Sequence, residues 1–174
     1  MSRETVGRET GIVAAGQAGI IPSATAQQAF ENLNDIEQDM IVSGEVPIED
    51  FLLMGAINYA VRKELEQDPD LGPPGTVDVS GGYPNALLHC MSACASTKIV
   101  GTGRTRKILN AHEAGDKVQS AAEADKDYHN NNAGVACGKN ARSIADCGKC
   151  CKKSKLKINI APAQKGNNGG PTPK

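Results

Sequence analysis

From Ala24 onward the apolar positions fall at three- and four-residue steps. Ala26, Ala29, Phe30, Leu33, Ile36 and Met40 alternate with Glu31, Asn34, Asp35 and Glu37. That period predicts an amphipathic helix, capped near Ser23 or Thr25 and ended by Gly44. A second stripe of Phe51, Met54, Ile57, Val61 and Leu65 predicts a helix opening at Pro47, whose missing N–H has no intrahelical partner in a first turn. Joined by a short Ser43-Gly44 turn, the two make an antiparallel helical hairpin over residues 24–66, read as scaffold. Residues 68–75 are rich in Pro and Gly and form a loop, and residues 76–80 read as a short strand.

A third helix is expected over residues 85–100, where Leu87, Leu88, Met91, Ala95 and Ile99 surround the axis. Apolar contacts around most of a helix predict a central, buried element. A fourth starts near Thr105 and carries Ile108, Leu109 and His112-Glu113 before Gly115 breaks it. The fifth, from Gln119 to about Cys137, sets Asp127, Asn131, Gly134 and Gly138 on one line and Ala122, Tyr128, Ala133 and Ala136 opposite. Its three consecutive asparagines are poor helix formers, because their amides compete for backbone hydrogen bonds.

The expected fold is therefore all-α, a single mostly helical domain of about five helices over residues 24–151, with its chemistry in residues 81–151. Residues 1–23 read as a flexible segment, and residues 138–151 as a Cys-rich, disulfide-pinned C-terminal loop. Residues 152–174 read as a tail, first basic, then rich in Pro, Gly and Asn and disordered.

Composition narrows the function classes. Nineteen basic against twenty acidic residues leave a formal charge of -1, and aromatics are 3% with no Trp. Neither a basic field nor a stacking platform is available, so no nucleic-acid partner is expected. No window reaches about 18 uninterrupted apolar residues, so no spanning helix is expected. The opening Met1-Ser2-Arg3-Glu4 lacks a signal's apolar stretch. Export would use a non-classical route, or the chain is a piece of a longer one.

Cys90, Cys94, Cys137, Cys147, Cys150 and Cys151 form an even, clustered set, which favours disulfides in an oxidising compartment. Zinc is the competing reading, because Cys147-Gly148-Lys149-Cys150 has the two-residue gap of a metal knuckle. Free thiols are the third.

Three short motifs occur in order: Asn85-Ala86-Leu87-Leu88-His89-Cys90, then Ala111-His112-Glu113, then Asp127-Tyr128-His129-Asn130-Asn131-Asn132-Ala133-Gly134. Their order and spacing resemble an uncharacterised C-terminal domain family of bacterial polymorphic toxins, including Rhs-type proteins. The resemblance covers roughly residues 81–151, and Leu87-Leu88 and Met91-Ser92 stand where relatives often carry an aromatic-rich, Arg-containing helix. It implies a secreted effector used against other cells, delivered for example by type VI secretion. The implied partners are a cognate immunity protein and either a secretion-apparatus component or a parent toxin chain. No cofactor and no metal are expected.

Read as chemistry, His89, His112, Glu113 and Asp127 are the candidate catalytic residues, carboxylates acting as general acid or base with a histidine as relay. Asn85, His129, Asn130 and Asn131 are the candidate substrate-binding residues, their side chains positioning substrate or an oxyanion. A Cys90 nucleophile beside His89 is disfavoured, since neighbours at i and i+1 point to different helix faces. No His-Glu-x-x-His occurs, so a zincin protease is not indicated. The same polar residues also suit a structural network that fixes helix register.

The leading expectation is a secreted effector domain, a hydrolase cleaving an envelope component such as peptidoglycan in the target-cell envelope or periplasm. The alternative is a non-enzymatic helical module that binds a partner or disrupts membranes. A zinc-binding adaptor is the third.

Overall fold

The computed structural model describes residues 23–158. Among them are seven helices and no strand. They are α1 (Ser23–Glu31), α2 (Asp35–Val42), α3 (Ile48–Glu66), α4 (Gly82–Ile99), α5 (Thr102–Gly115), α6 (Ala121–Gly138) and α7 (Ile144–Lys153). The chain is all-α, as its periodicity predicts. The expected flexible segment before Ser23 and the disordered stretch after Ile158 lie outside the described residues.

Two elements beyond the expected five come from polar residues that stop or start a helix. The stripe of residues 24–44 is one continuous period, yet it folds as two helices. Asn34 breaks it: its Oδ1 accepts from the Glu37 N–H at 3.0 Å, while Glu37 Oε2 accepts from the Asn34 N–H at 2.9 Å. This reciprocal capping box satisfies two donors that a continuous helix would place elsewhere. The same Asn34 donates Nδ2 to the Ala111 carbonyl at 3.3 Å, which ties the break to α5. The hairpin of residues 24–66 is thus three helices. Its second half follows the predicted stripe, with Phe51, Met54, Ile57, Val61 and Leu65 all buried.

The second extra helix is α7, which replaces the expected Cys-rich loop. Ser143 starts it by accepting from the Asp146 N–H at 3.1 Å. Residues 76–80, expected as a strand, are irregular, because no neighbouring strand exists to pair with them.

α4 is the axis of the domain. Between Ala86 and Thr97 every residue is buried except His89. Around its C-terminal two-thirds lie Ile57, Val61 and Leu65 of α3, Ala141, and the cysteines of α6 and α7. A second apolar cluster, including Phe30, Met40, Phe51 and Ile108, holds α1, α2, α3 and α5 together.

α6 lies closest to α4, and its small residues are the reason. A Cβ placed on Gly134 would overlap the Cys90 carbonyl oxygen and sit 2.8 Å from the Ala93 Cβ. One on Gly138 would meet the Cys94 oxygen and the Thr97 Cβ at 2.6 Å each. Four residues apart, the two glycines share a face and bring the backbones together.

Three disulfides fasten the other side of this pair. Cys90 and Cys94, one turn apart on α4, bond to Cys151 and Cys147, one turn apart on α7, so these two helices run antiparallel. Cys137 of α6 bonds to Cys150. All six cysteines are paired. The Cys147/Cys150 pair is therefore no zinc knuckle here, since its members leave α7 toward different helices. Three such bonds fit an extracellular or otherwise oxidising environment. No helix among the described residues is long and apolar enough to cross a membrane.

The boundary expected at Cys151 falls too early. Lys152 and Lys153 complete α7, and Lys152 bridges Asp68 and Asp70 at 2.7 Å each. Residues 154–158 then run beside α6, held there by hydrogen bonds from its side chains to their backbone.

Candidate active site

The one residue of α4's buried run that keeps solvent contact, His89, with 23% of its side chain exposed, lies between two buried carboxylates. Its Nε2 is 3.4 Å from Asp127 Oδ1 on α6, and its Nδ1 is 3.8 Å from Glu113 Oε1 on α5. Asn131, one turn beyond Asp127, links the set. Its Nδ2 donates to Glu113 Oε1 at 2.8 Å, and its Oδ1 faces His89 Nδ1 at 3.3 Å.

This order of bonds fixes the imidazole. With Asn131 Nδ2 turned to Glu113, its oxygen is the atom that faces His89, which places Nδ1 to donate. Nε2 then faces an Asp127 oxygen. It lies within ion-pair distance of Asp127 Oδ1 without a hydrogen bond to it.

Two residues that the sequence reading passed over complete the surroundings of Asp127. Gln119 Nε2 donates to Asp127 Oδ2 at 2.6 Å. Lys126 Nζ lies 3.1 Å from Oδ1 and donates to Asn85 Oδ1 at 3.0 Å. The lysine is off the hydrogen-bonding direction of Oδ1, so that buried oxygen has charge contacts but accepts no hydrogen bond from the protein, and neither does Gln119 Oε1. Asn85, expected to bind substrate, instead holds Lys126 and donates Nδ2 to the Val79 carbonyl at 3.3 Å. The signal for Lys126 was present: it precedes Asp127 in the third motif, and a lysine beside a buried carboxylate is an ion-pair candidate.

Asp127 opens onto a groove of about 300 Å³ that Asn85, Asp116, Gln119, Glu123 and Lys126 also line. Hydrogen bonds from Ser120 hold Glu123 below the usual carboxylate range. Asp116 accepts from the N–H groups of Val118 and Gln119, which shapes the rim. His89 and Glu113 stand behind Asp127 and do not line this groove.

The other candidates are elsewhere. His112 points away from its neighbour Glu113, as residues at i and i+1 must, and pairs with Glu37 of α2 at 3.1 Å. Its side chain is 60% exposed, and the Glu37 hydrogen bond, against the effect of burial, raises its pKa above the usual 6.5. It borders a separate groove of about 370 Å³ with Asn34, Glu37 and Lys117. His129 Nε2 donates to the Lys155 carbonyl at 2.7 Å. Asn130, fully buried, spends its whole amide on one residue, donating to the Lys157 carbonyl at 3.0 Å and accepting from the Lys157 N–H at 2.9 Å. These two side chains hold the C-terminal segment and are not available to a ligand.

Of the eight polar candidates, the structure thus brings together His89, Glu113, Asp127, Asn131 and Asn85. It places His112 apart, paired with Glu37 beside a separate groove, and turns His129 and Asn130 to the C-terminal segment. Comparison of the chain with protein-family models, with curated proteins and with solved structures finds no match. The site's own geometry carries the functional reading.

Proposed function

We propose that this chain is a secreted bacterial effector domain in which Asp127, backed by His89, hydrolyses an envelope component such as peptidoglycan. The observation that carries the reading is the buried Asp127 carboxylate, which stands 3.4 Å from His89 Nε2, lines a polar groove and keeps one oxygen that accepts no hydrogen bond from the protein. A structural network alone gains nothing from that arrangement, because a buried acceptor without a donor costs about 1–3 kcal/mol.

Asp127 gives its proton to the leaving atom as the scissile bond breaks. A water then adds to the other fragment and returns a proton to the Asp127–His89 pair, so the products are the two hydrolysed ends. Glu113 and Asn131 keep the imidazole in the required orientation, and Asn131 is a positioning residue in this scheme. Lys126 and Gln119 hold the carboxylate. The disulfides support action outside the reducing cytosol, as does the resemblance to polymorphic-toxin domains. The corresponding partners are an immunity protein that blocks the groove and a secretion component or parent chain that delivers the domain.

The test is expression in a bacterium, once in the cytosol and once with an added export signal. Killing is expected only on export. Asp127→Asn and Glu113→Gln are expected to lower hydrolysis of purified envelope polymer by about 10²–10⁴-fold while leaving the melting temperature within a few degrees. Killing that survives both substitutions in a folded protein would overturn the enzymatic reading in favour of an interaction module. Killing confined to cytosolic expression would overturn the envelope target.

A further inference from the structure

α3 carries an apolar face that the fold does not use. From Phe51 to Val61 the sequence reads Phe-Leu-Leu-Met-Gly-Ala-Ile-Asn-Tyr-Ala-Val, eleven positions without a charge. A helix that is apolar all round is ordinarily covered all round. Phe51, Met54, Ile57 and Val61 are buried, yet the opposite side is open. Leu53 is 45% exposed and Tyr59 64%, and Gly55, Ala56 and Ala60 are exposed between them. With the half-buried Leu52 they make an apolar stripe about two and a half turns long. A surface helix of a monomer would carry charge there.

The stripe has a two-fold pattern centred on Ala56. Leu53 and Tyr59 lie three residues to either side and about 60° off its line. Leu52 and Ala60 lie four residues to either side, about 40° off. Glu49 and Lys63 stand seven residues away in opposite directions, only about 20° off. A second α3 crossing antiparallel at Ala56 therefore sets Ala56 on Ala56, Leu53 on Tyr59, Leu52 on Ala60, and Glu49 on Lys63 at both ends. A parallel crossing would bring Glu49 to Glu49 and Lys63 to Lys63, and would align the helix dipoles unfavourably. Alanine on the axis lets the backbones approach to the short end of helix spacing, about 8 Å. Lys63 already bonds Glu66 at 2.7 Å and lies 5.7 Å from the centre of the Tyr59 ring. That pair is exposed, so it changes partners at little cost.

We propose that α3 is a self-association surface on which two copies of this chain pair antiparallel about Ala56. The centre of the interface is apolar, and a Glu49–Lys63 ion pair closes each end. One helix face is small against a standard interface, so the dimer is weak and forms at micromolar concentration. No α3 residue lines the Asp127 groove, and the proposal does not depend on the hydrolase reading.

The test is sedimentation velocity of the full oxidised chain from low micromolar to near-millimolar concentration. The 18.2 kDa monomer is expected to give way to a species of twice that mass. Ala56→Lys sets two like charges on the axis, and Leu53→Glu places a charge against Tyr59. Both are expected to stay monomeric throughout, with the parent's helical circular dichroism. Glu49→Lys alone and Lys63→Glu alone put like charges at both ends and are expected to weaken the dimer by about tenfold or more. Combined, they restore opposite charges and return the affinity to near the parent's. The charge variants touch no apolar residue, so they decide the matter even if an apolar variant fails to fold. A chain monomeric at every concentration, a dimer that Ala56→Lys leaves intact, or charge variants that show no rescue would each overturn the proposal. So would a monomer that binds phospholipid vesicles and loses them in Leu53→Glu, which would assign the face to a membrane.

Discussion

Replacing Gly134 with alanine tests whether α4 and α6 are held together by glycine contacts. The added Cβ would overlap the carbonyl oxygen of Cys90 and stand 2.8 Å from the Ala93 Cβ and 2.9 Å from the Cys90 carbonyl carbon. Ordinary carbon–carbon contact begins at about 3.5 Å, so α6 must retreat by roughly 0.7 Å to relieve the Ala93 contact alone, and further for the oxygen. Neither neighbour gives way easily. The oxygen belongs to helical backbone, and Cys90 is fastened to Cys151. Overpacking of this kind costs about 1–3 kcal/mol, and the high end applies where backbone is struck. Alanine recovers about 1 kcal/mol of helix propensity. The net expectation is a loss of about 2 kcal/mol, read as a lower midpoint in urea unfolding of the oxidised protein. Gly55→Ala is the matched control. Nothing lies within 4 Å of its Cβ position, midway along α3, so it is expected to stabilise by about 0.5–1 kcal/mol. The retreat also pulls Asp127 and Asn131 from His89, so the imidazole NMR signals of His89 should shift in Gly134→Ala and stay put in Gly55→Ala. A Gly134→Ala protein as stable as the parent, with His89 undisturbed, would refute the close approach of the two helices.

Three further outcomes are expected. The His112 pKa is raised in the folded state, chiefly by its hydrogen bond to Glu37, so its contribution is fully present below about pH 6.5 and fades as pH rises through the folded value. The stability difference between wild type and His112→Ala, from urea unfolding at stepped pH, should shrink across that window; with the side chain 60% exposed the effect is small and salt-sensitive, and a flat difference would contradict the pairing. Asn130→Ala removes both bonds to Lys157 and should cost about 1–3 kcal/mol, with faster hydrogen exchange at the Lys157 amide; unchanged exchange there would mean the segment is held by something else. Cys94→Ala/Cys147→Ala, which opens a 53-residue separation, should cost about 2–5 kcal/mol in oxidised protein while leaving His89, Glu113 and Asp127 in place, checked by unfolding and by the same imidazole signals.

Helix existence was legible because periodicity survives folding: the stripe on α3 is the face that is buried, and α4 is buried nearly all round, although Ile99 at its end is exposed. The break at Asn34 was not, since an apolar period runs straight across it and only the Glu37 three residues later marks a capping box. α7 was hidden because cysteines, Cys147 and Cys151, carry most of its buried face, and they read first as a pinned loop. Its helicity is instead written in spacing, because Cys90/Cys94 and Cys147/Cys151 are both separated by one turn and suit two facing helices. The site was half legible. The third motif puts Asp127 and Asn131 on one face, and both reach His89. It also holds His129 and Asn130, rotated about 180° and about 80° from that side, and sequence alone does not say which of several adjacent polar residues faces the cleft. His112 and Glu113 pose the same choice, and the buried one of the pair is the carboxylate.

The seam between α4 and α6 explains why the chemistry and the cysteines share the same two helices. Along α6, Asp127 and Asn131 come first, then Gly134, then Cys137 and Gly138; along α4, His89 is followed by Cys90, Ala93 and Cys94. One end of the seam is polar, the middle is backbone against backbone, and the far end is covalent. A hydrogen-bonded site such as His89, Glu113, Asp127 and Asn131 works only if its atoms stay within a few tenths of an ångström, and side chains on independent helices do not hold that tolerance by themselves. On α4 the Cys90–Cys151 bond lies beside His89, but on α6 the nearest disulfide, at Cys137, is a lever arm of about two turns from the site. The glycines shorten that arm by removing the side chains through which helices ordinarily slide and rock. On this argument the asparagines that weaken α6 as a helix are tolerated because its position is set from the other end. Loss of the Gly134 contact should then harm the site more than loss of the Cys94–Cys147 bond, even where the disulfide costs more stability.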